Sequence, residues 1–312
     1  MTDMTKRPVT TKRIGVLMGG LSAERDVSIR SGLAIYQALQ ELGYNCVLID
    51  VGRDVVNLLK KEKVRFAFLA LHGGMGENGA IQGLLEVMGL PYTGSGILAS
   101  ALAMDKEVSK ELFRYHGLHV AEFITIHKKE KNNLDGLSIP FPSPWVIKPA
   151  TEGSSIGVSI VKDKEALKPS VNHAFTYSNR VLIERFIEGR EVHIGILGNR
   201  ILGGVEVRPS LEFYNYEAKY TSGLTDYIIP PELDETVYEK AKEAAMKAYR
   251  VLGCSGAARV DLMIDRDGVP YLLEVNTLPG MTTTSLLPKI ALSAGLSFND
   301  LIEEMIRLAI KE

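Results

Sequence analysis

Two strand-like segments impose the tightest condition on how this chain can fold. They are AARVDLMID (Ala257–Asp265) and VPYLLEVN (Val269–Asn276), and Asp267-Gly268 lies between them. An Asp-Gly pair flanked by alternating residues signals a two-residue hairpin turn. In that register Asp261 faces Glu274 and Arg259 faces Asn276. All four point to one side, because strand side chains alternate. The other side carries Val260, Leu262, Ile264, Tyr271, Leu273 and Val275, an expected core face. Carboxylates opposed across a sheet repel each other, so a positive charge is expected between them. Two acids and an amide oxygen are hard donors of the kind that hold Mg²⁺ together with nucleotide phosphates. A solvated strand face with unrelated acids is the plainer alternative, and a three-residue turn would shift the register by one.

The 312 residues are enough for about two or three domains. A hydrophobic content of 46% and a charged content of 24% are those of an ordinary globular protein. The net charge of −2 gives no reason to expect a nucleic-acid or anionic-membrane partner. No apolar run approaches membrane-spanning length. The start, MTDMTKRPVTTKR, has no apolar signal core and reads as a flexible tail over residues 1–12. Cys46 and Cys254 lack metal-binding spacing and read as buried thiols in a reducing, cytoplasmic compartment.

Arg13–Met18, Tyr44–Val51 and Val64–Leu71 read as strands. Helices alternate with them, one starting at a Ser22 or Asp26 cap and running to about Leu42, another from about Gly79 to Met88. This order implies a parallel sheet, with ligands outside the carboxyl ends of its strands. Gly19–Glu24 and His72–Glu77 lie there. A dinucleotide fingerprint is missing, since no G-x-G-x-x-G follows the first strand. Glu24 near a helix start suits a cationic substrate group or simply the helix dipole. His72 alone is more commonly an ordinary loop histidine.

Ile97–Met104 is a short apolar helix, and Asp105 caps the next, which stops at Gly117. Lys106 sits in the first turn, the wrong end for helix electrostatics, which points to a task elsewhere. After a polar, Pro-rich connection over 128–144, a strand Trp145–Pro149 carries Lys148. Thr151–Val158 (TEGSSIGV) then reads as a Gly/Ser flap that cradles anions or as an ordinary hairpin turn. Arg180–Glu184 is a strand, and Glu191–Leu197 with Arg200–Val207 forms a hairpin. Pro209–Pro231 has no period but is rich in aromatics, as in a functional loop. Helices at Leu233–Leu252 and Leu296–Lys311 follow, the last with Ser297 and Asp300 spaced as a capping box.

Seven segments in order resemble the D-alanine–D-alanine ligase family of ATP-grasp proteins, over essentially the whole chain after the tail. They are GGLSAERDVS (Gly19–Ser28), LHGGMGENG (Leu71–Gly79), Met104-Asp105-Lys106, VIKPATEGSSIG (Val146–Gly157), EAKY (Glu217–Tyr220), Arg259–Asp261 and EVNTLPGMTTTSL (Glu274–Leu286). The resemblance implies an α/β fold with α+β character in its ATP-grasp part. A Rossmann-like parallel-sheet domain (13–104) would precede a two-subdomain ATP-grasp, central (105–183) and C-terminal (184–312). It further implies that ATP phosphorylates one D-alanine and that the amine of a second attacks the acyl phosphate, giving D-alanyl-D-alanine for peptidoglycan precursors.

By the same resemblance, Asp261, Glu274 and Asn276 ligate two Mg²⁺ (or Mn²⁺) ions, and Lys106 and Lys148 contact ATP phosphates under a flap that includes Ser155. Glu184 accepts from the adenine amino group, with Arg185, Phe186 and Ile187 along the ring edge. Glu191 holds the ribose, and Phe213 and Leu273 pack on the ring. Glu24 meets the first ammonium and His72 the first carboxylate. Arg259 and the Gly280 N–H stabilise the oxyanion, while Ser285, the Leu286 N–H and Lys219 hold the second carboxylate. Lys219 also reaches the transferred phosphate. Tyr220 and Ser154 tie the long loop to Glu24, making it a lid that excludes water. Tyr220 favours the dipeptide over a depsipeptide. Asn78 stands where the family often has an acid, and Thr284 where it often has His, which touches only fine specificity. The family also implies a homodimer.

Overall fold

Three sheets organise the chain, which the computed structural model describes over residues 11–210, 223–282 and 284–311. The first consists of β1 (Ile14–Gly19), β2 (Cys46–Val51) and β3 (Phe66–Leu69), in the order β2-β1-β3, all parallel. Its strands are apolar on both faces because helices cover both. Ile14, Val16, Phe66 and Phe68 pack on Ile35, Ala38 and Leu39 of α1 (Arg25–Glu41). Leu17, Ala67 and Leu69 face the other way, toward α2 (Val55–Lys61) and α3 (Ala80–Val87). Gly32 lets α1 lie close on the sheet, since a Cβ there would fall 2.5 Å from the Met18 Cβ.

Next come α4 (Ile97–Met104) and α5 (Lys106–Tyr115), the latter capped by Asp105, whose Oδ1 accepts from the Val108 N–H at 3.2 Å. The second sheet, antiparallel, has the order β4-β7-β5-β6 and comprises β4 (Phe123–His127), β5 (Trp145–Pro149), β6 (Ser159–Val161) and β7 (Arg180–Arg185). Its core face packs on Leu167, Val171 and Ala174 of α6 (Lys164–Ala174). The third sheet, also antiparallel, has the order β10-β9-β8-β11-β12. Its strands are β8 (Gly189–Leu197), β9 (Arg200–Pro209), β10 (Thr225–Ile228), β11 (Ala257–Asp265) and β12 (Pro270–Asn276). The small residues Ala241, Ala245 and Ala248 of α7 (Glu235–Val251) bring that helix onto Val192, Ile194, Val260 and Leu262. Two last helices, α8 (Leu286–Ser293) and α9 (Phe298–Lys311), share one core with α1 and β1 and so join the first sheet to the third. The α9 start is a reciprocal cap: the Asp300 N–H donates to Ser297 Oγ and the Ser297 N–H to Asp300 Oδ2, each at 3.1 Å. Among the described residues no helix is long and apolar enough to cross a membrane.

The fold class is the expected one, with local corrections. Neither Ser22 nor Asp26 caps α1. Glu24 occupies the cap position without a side-chain cap bond, while Ser22 Oγ donates to the His72 carbonyl at 2.6 Å. The expected irregular stretch Pro209–Pro231 contains β10, an edge strand paired with β9. Cys46 and Cys254 are free but only partly buried. Helices α2, α6 and α8 have no counterpart among the sequence expectations.

The largest correction concerns the hairpin. The Asp265 N–H donates to the Val269 carbonyl and the Gly268 N–H to that of Asp265, both at 3.1 Å. The loop therefore has three residues, with Gly268 at φ +75°. That shifts the register, and Ile264 pairs with Pro270 and Leu262 with Leu272. An irregularity between Asp261 and Leu262 then restores it, so that Asp261 pairs with Glu274 and Arg259 with Asn276. Leu273 is the extra residue of a β-bulge. Leu272, wholly buried, occupies the core in its place, and Tyr271 and Leu273 leave the face expected for them.

Candidate active site

Two pockets open side by side on the third sheet. One lies between the second and third sheets, where Lys148, Ser155, Glu184, Arg185, Phe186 and Ile187 line it from one side. Glu191, Asp261 and Leu273 line it from the other. The bulge puts Leu273 there beside Glu274 instead of in the core. The second pocket is built from loops and helix starts, closed on one side by β11 and β12. Glu24, His72, Ser154, Arg259, Asn276 and Gly280 line it, with Ser285 and Leu286 at the start of α8. Lys106 and Glu274 belong to both pockets, and their charged ends lie 3.0 Å apart. Phe213, Lys219 and Tyr220 lie outside the described residues.

In the pocket between the sheets, Glu184 is buried, and its Oε2 pairs with Lys148 Nζ at 2.9 Å and Lys110 Nζ at 3.2 Å. Burial disfavours its charge, but Lys110 and Lys148 more than offset this and hold the carboxyl below its ordinary range. Its Oε1 is buried and has no hydrogen-bond partner among the described residues. An unpaired acceptor in such a place costs free energy unless a ligand donates to it, and an amino group on a flat base fits that need. The flap turns at Ser154 and Ser155, both at positive φ (+49° and +58°), and the turn is closed by the Ile156 N–H on the Gly153 carbonyl at 3.0 Å. Non-glycine residues seldom hold that conformation, and such strain concentrates at ligand clamps.

The facing acids of the hairpin each hold a base. Arg259 Nε and Nη2 both reach the Asp261 carboxylate at 2.7 Å. His193 Nδ1 lies 2.6 Å from Asp261 Oδ1, and its Nε2 lies 3.0 Å from Glu191 Oε1. Burial opposes the Asp261 charge, yet Arg259 and His193 outweigh it and hold the carboxyl well below the usual range. Burial likewise opposes a charged Lys106, and the Glu274 carboxylate prevails, raising the lysine above its ordinary value. Asn276 Oδ1 accepts from the Leu278 N–H at 3.1 Å. Among the described residues no three His, Cys, Asp or Glu side chains form a metal cluster. Two carboxylates and an amide oxygen from adjacent strands fit instead a hard cation that takes its remaining ligands from phosphate and water.

The loop-built pocket is acidic at its floor. Ser154 Oγ donates to Glu24 Oε1. Glu77, which sequence reasoning left without a role, lines this pocket and accepts from the Gly73 N–H at 2.5 Å. Burial, then the neighbouring Glu24 charge, pushes its carboxyl up to about 8. His72 is buried against Ser31, with Nε2 3.2 Å from Ser31 Oγ. Burial, with a smaller push from Arg259, lowers its imidazole to about 4, so the ring is neutral near pH 7. Gly280 runs tight against α8: a Cβ there would meet Ser285 Oγ at 2.7 Å. Glu152, Lys110 and His193 are further site neighbours that sequence reasoning missed. Glu77 and Glu152 lie inside matched motifs and were legible there, whereas Lys110 looks like a solvated helix lysine and His193 like an isolated polar residue in an apolar strand.

Comparison with known proteins decides the family. The model described as D-ala D-ala ligase C-terminus matches residues 112–307, well over half the chain, and the one described as D-ala D-ala ligase N-terminus matches 52–95. The chain belongs to the D-alanine–D-alanine ligase family. It is 51% identical over 304 residues to the D-alanine–D-alanine ligase of Geobacter sulfurreducens, covering 97% of this chain and 96% of that one. The D-alanine–D-alanine ligase crystal structure from Bacillus anthracis matches with a TM-score of 0.85 at 40% identity, over 96% of this chain and 98% of that chain. A second crystal structure of that ligase, complexed with ATP, matches with a TM-score of 0.82 at 37% identity, over the same shares. D-Alanine–D-alanine ligases depend on ATP and a divalent metal, which agrees with the oxygen donors and lysines gathered where the two pockets meet.

Proposed function

We propose that this chain joins two D-alanine molecules into D-alanyl-D-alanine at the expense of ATP, a step toward peptidoglycan precursors in the cytoplasm. An oxygen of the first D-alanine carboxylate takes the γ-phosphoryl group, and ADP leaves. The amine nitrogen of the second attacks the acyl carbon, the bond from that carbon to the phosphate oxygen breaks, and phosphate departs as the nitrogen loses a proton. One observation carries the reading: Lys106 and Glu274 line both pockets. A phosphoryl donor between the sheets and an amino acid among the loops would therefore meet at a single place.

The difficulty of the first step is the approach of two anions. Divalent ions, when bound, offset that charge. Asp261, Glu274 and Asn276 would hold two of them, Mg²⁺ or Mn²⁺. Glu274 would then leave Lys106 free for a phosphate oxygen, and Arg259 would turn from Asp261 toward the oxyanion, alongside the Gly280 N–H. Glu184 Oε1 would accept from the adenine amino group, Lys148 would meet a phosphate under Ser155, and Glu191 would hold the ribose. Glu24, already oriented by Ser154, would receive the first ammonium, with His72 by its carboxylate. Ser285 and the Leu286 N–H would hold the second carboxylate. Lys219 and Tyr220, outside the described residues, complete the proposal, as does a homodimeric assembly.

The test is ADP release by purified protein with Mg-ATP and an amino-acid panel, with the product weighed by mass spectrometry. The expected result is turnover with D-alanine and none with L-alanine, yielding the dipeptide. Indifference to chirality, or ATP hydrolysis without a joined product, contradicts the proposal. D-Lactate offered as acceptor reads the preference expected from Tyr220.

A further inference from the structure

Helix α5 presents two lysines one turn apart, Lys106 and Lys110, toward the space between the sheets. Lys106 goes to the meeting point of the pockets. Lys110 lines neither pocket, and at 0% exposure it is among the largest wholly buried side chains of the protein. Its Nζ lies 3.2 Å from Glu184 Oε2 and 3.4 Å from the Leu272 carbonyl, beside the bulge. Burial pushes its ammonium down to about 8. A lysine so placed needs an anion, and removing either partner of such a pair leaves an uncompensated buried charge.

Glu184, however, already has Lys148 at 2.9 Å. A single carboxylate between two ammonium groups has more positive charge around it than the empty pocket requires. Lys148 lines the nucleotide pocket and Lys110 does not. Were Lys148 the only partner, its turn toward a phosphate would strip a buried carboxylate of its counter-charge. With Lys110 behind it, Glu184 keeps a fixed cation on Oε2 while Oε1 faces the ligand.

We infer that Lys110 is a positioning residue for nucleotide selection: it anchors Glu184 Oε2, so that Oε1 stays aimed at the amino group of an aminopurine while Lys148 moves to phosphate. The inference rests on the nucleotide reading proposed above. Lys110 acts only through Glu184 and touches no ligand. Its second bond, to the Leu272 carbonyl, fixes that carboxylate relative to the hairpin that carries Glu274.

The test compares ATP with inosine triphosphate, which has a carbonyl where adenine has its amino group. Ligation of D-alanine by the wild type with ATP establishes the parent reading independently. In Lys110→Met, KM for ATP is expected to rise at least ~10-fold with kcat changed less than ~3-fold, and the preference for ATP over inosine triphosphate to fall at least ~10-fold. A merely structural lysine would lower stability without moving base preference. Wild-type KM and unchanged preference in Lys110→Met overturn the inference. Should that variant not fold, the double variant Lys110→Met/Glu184→Gln, which removes both charges, is compared with Glu184→Gln by calorimetric ADP binding. Equal or tighter binding by the double variant supports action through Glu184. Binding at least ~10-fold weaker than that of Glu184→Gln overturns it.

Discussion

The two pockets reach the same lysine–glutamate pair by opposite constructions. Between the sheets, most functional side chains stand on a strand or next to its end, and their direction follows from alternation and register; Ser155 on the flap and Lys106 at the start of α5 are the exceptions. In the other pocket, backbone loops crowd around a helix start. A Cβ on Gly73 would lie 2.7 Å from Glu24 Oε2, and one on Gly153 would lie 3.0 Å from it. Segments far apart in sequence thus close on one carboxylate because they lack side chains. The strand-built pocket is set by periodicity, and the loop-built one by close approach. They should therefore fail separately, except at the residues they share.

Glu274→Gln tests the shared point and should have the largest effect. Turnover is expected to fall at least ~100-fold with the fold intact, since charge stabilisation of this kind is worth several kcal/mol; steady-state rates and a melting curve read both. Glu24→Gln should damage only the loop-built pocket, raising KM for D-alanine by about tens of fold while KM for ATP stays within ~2-fold. Glu184→Gln should do the reverse, raising KM for ATP by about 10-fold and leaving that for D-alanine alone. Crossed effects in these two variants would dissolve the distinction between the pockets.

The smallest effect is on stability. Between the ordinary carboxyl value of 4.5 and about 8, folded Glu77 keeps a proton that the unfolded chain has released. Folding takes up a proton there, so this contribution to stability is lost as pH rises through that window. Glu77→Gln removes the contribution. Its melting temperature should fall less than the wild type's between pH 5 and 8, and parallel pH profiles would place the Glu77 proton elsewhere.

The hairpin illustrates what the sequence made legible. Alternation in Ala257–Asp265 correctly put Arg259 and Asp261 on one face and Val260 and Leu262 on the other. In β12 the run Tyr271-Leu272-Leu273 is apolar throughout, so it concealed both the three-residue loop and the bulge, two irregularities that cancel at Glu274. The cap of α1 was misread for a related reason. Ser22 and Asp26 have capping chemistry, but the tertiary structure uses Ser22 to hold the His72 carbonyl. Propensity cannot register a partner fifty residues away. Glu24 and His72 as single residues fit a helix-dipole acid and an ordinary loop histidine equally well or better, and only the order of the motifs around them points to a site. Lys110 gave no signal, because a lysine in an amphipathic helix looks solvated until a buried Glu184 is placed opposite it.

A crystal structure with a non-hydrolysable ATP analogue and Mn²⁺, located by anomalous scattering, tests the central claim most directly. An ion held by Asp261 and Glu274, with Lys106 and Arg259 released from those acids, is the result expected. An ion bound elsewhere, while Lys106 still holds Glu274 and Arg259 still holds Asp261 over an ordered nucleotide, would contradict it.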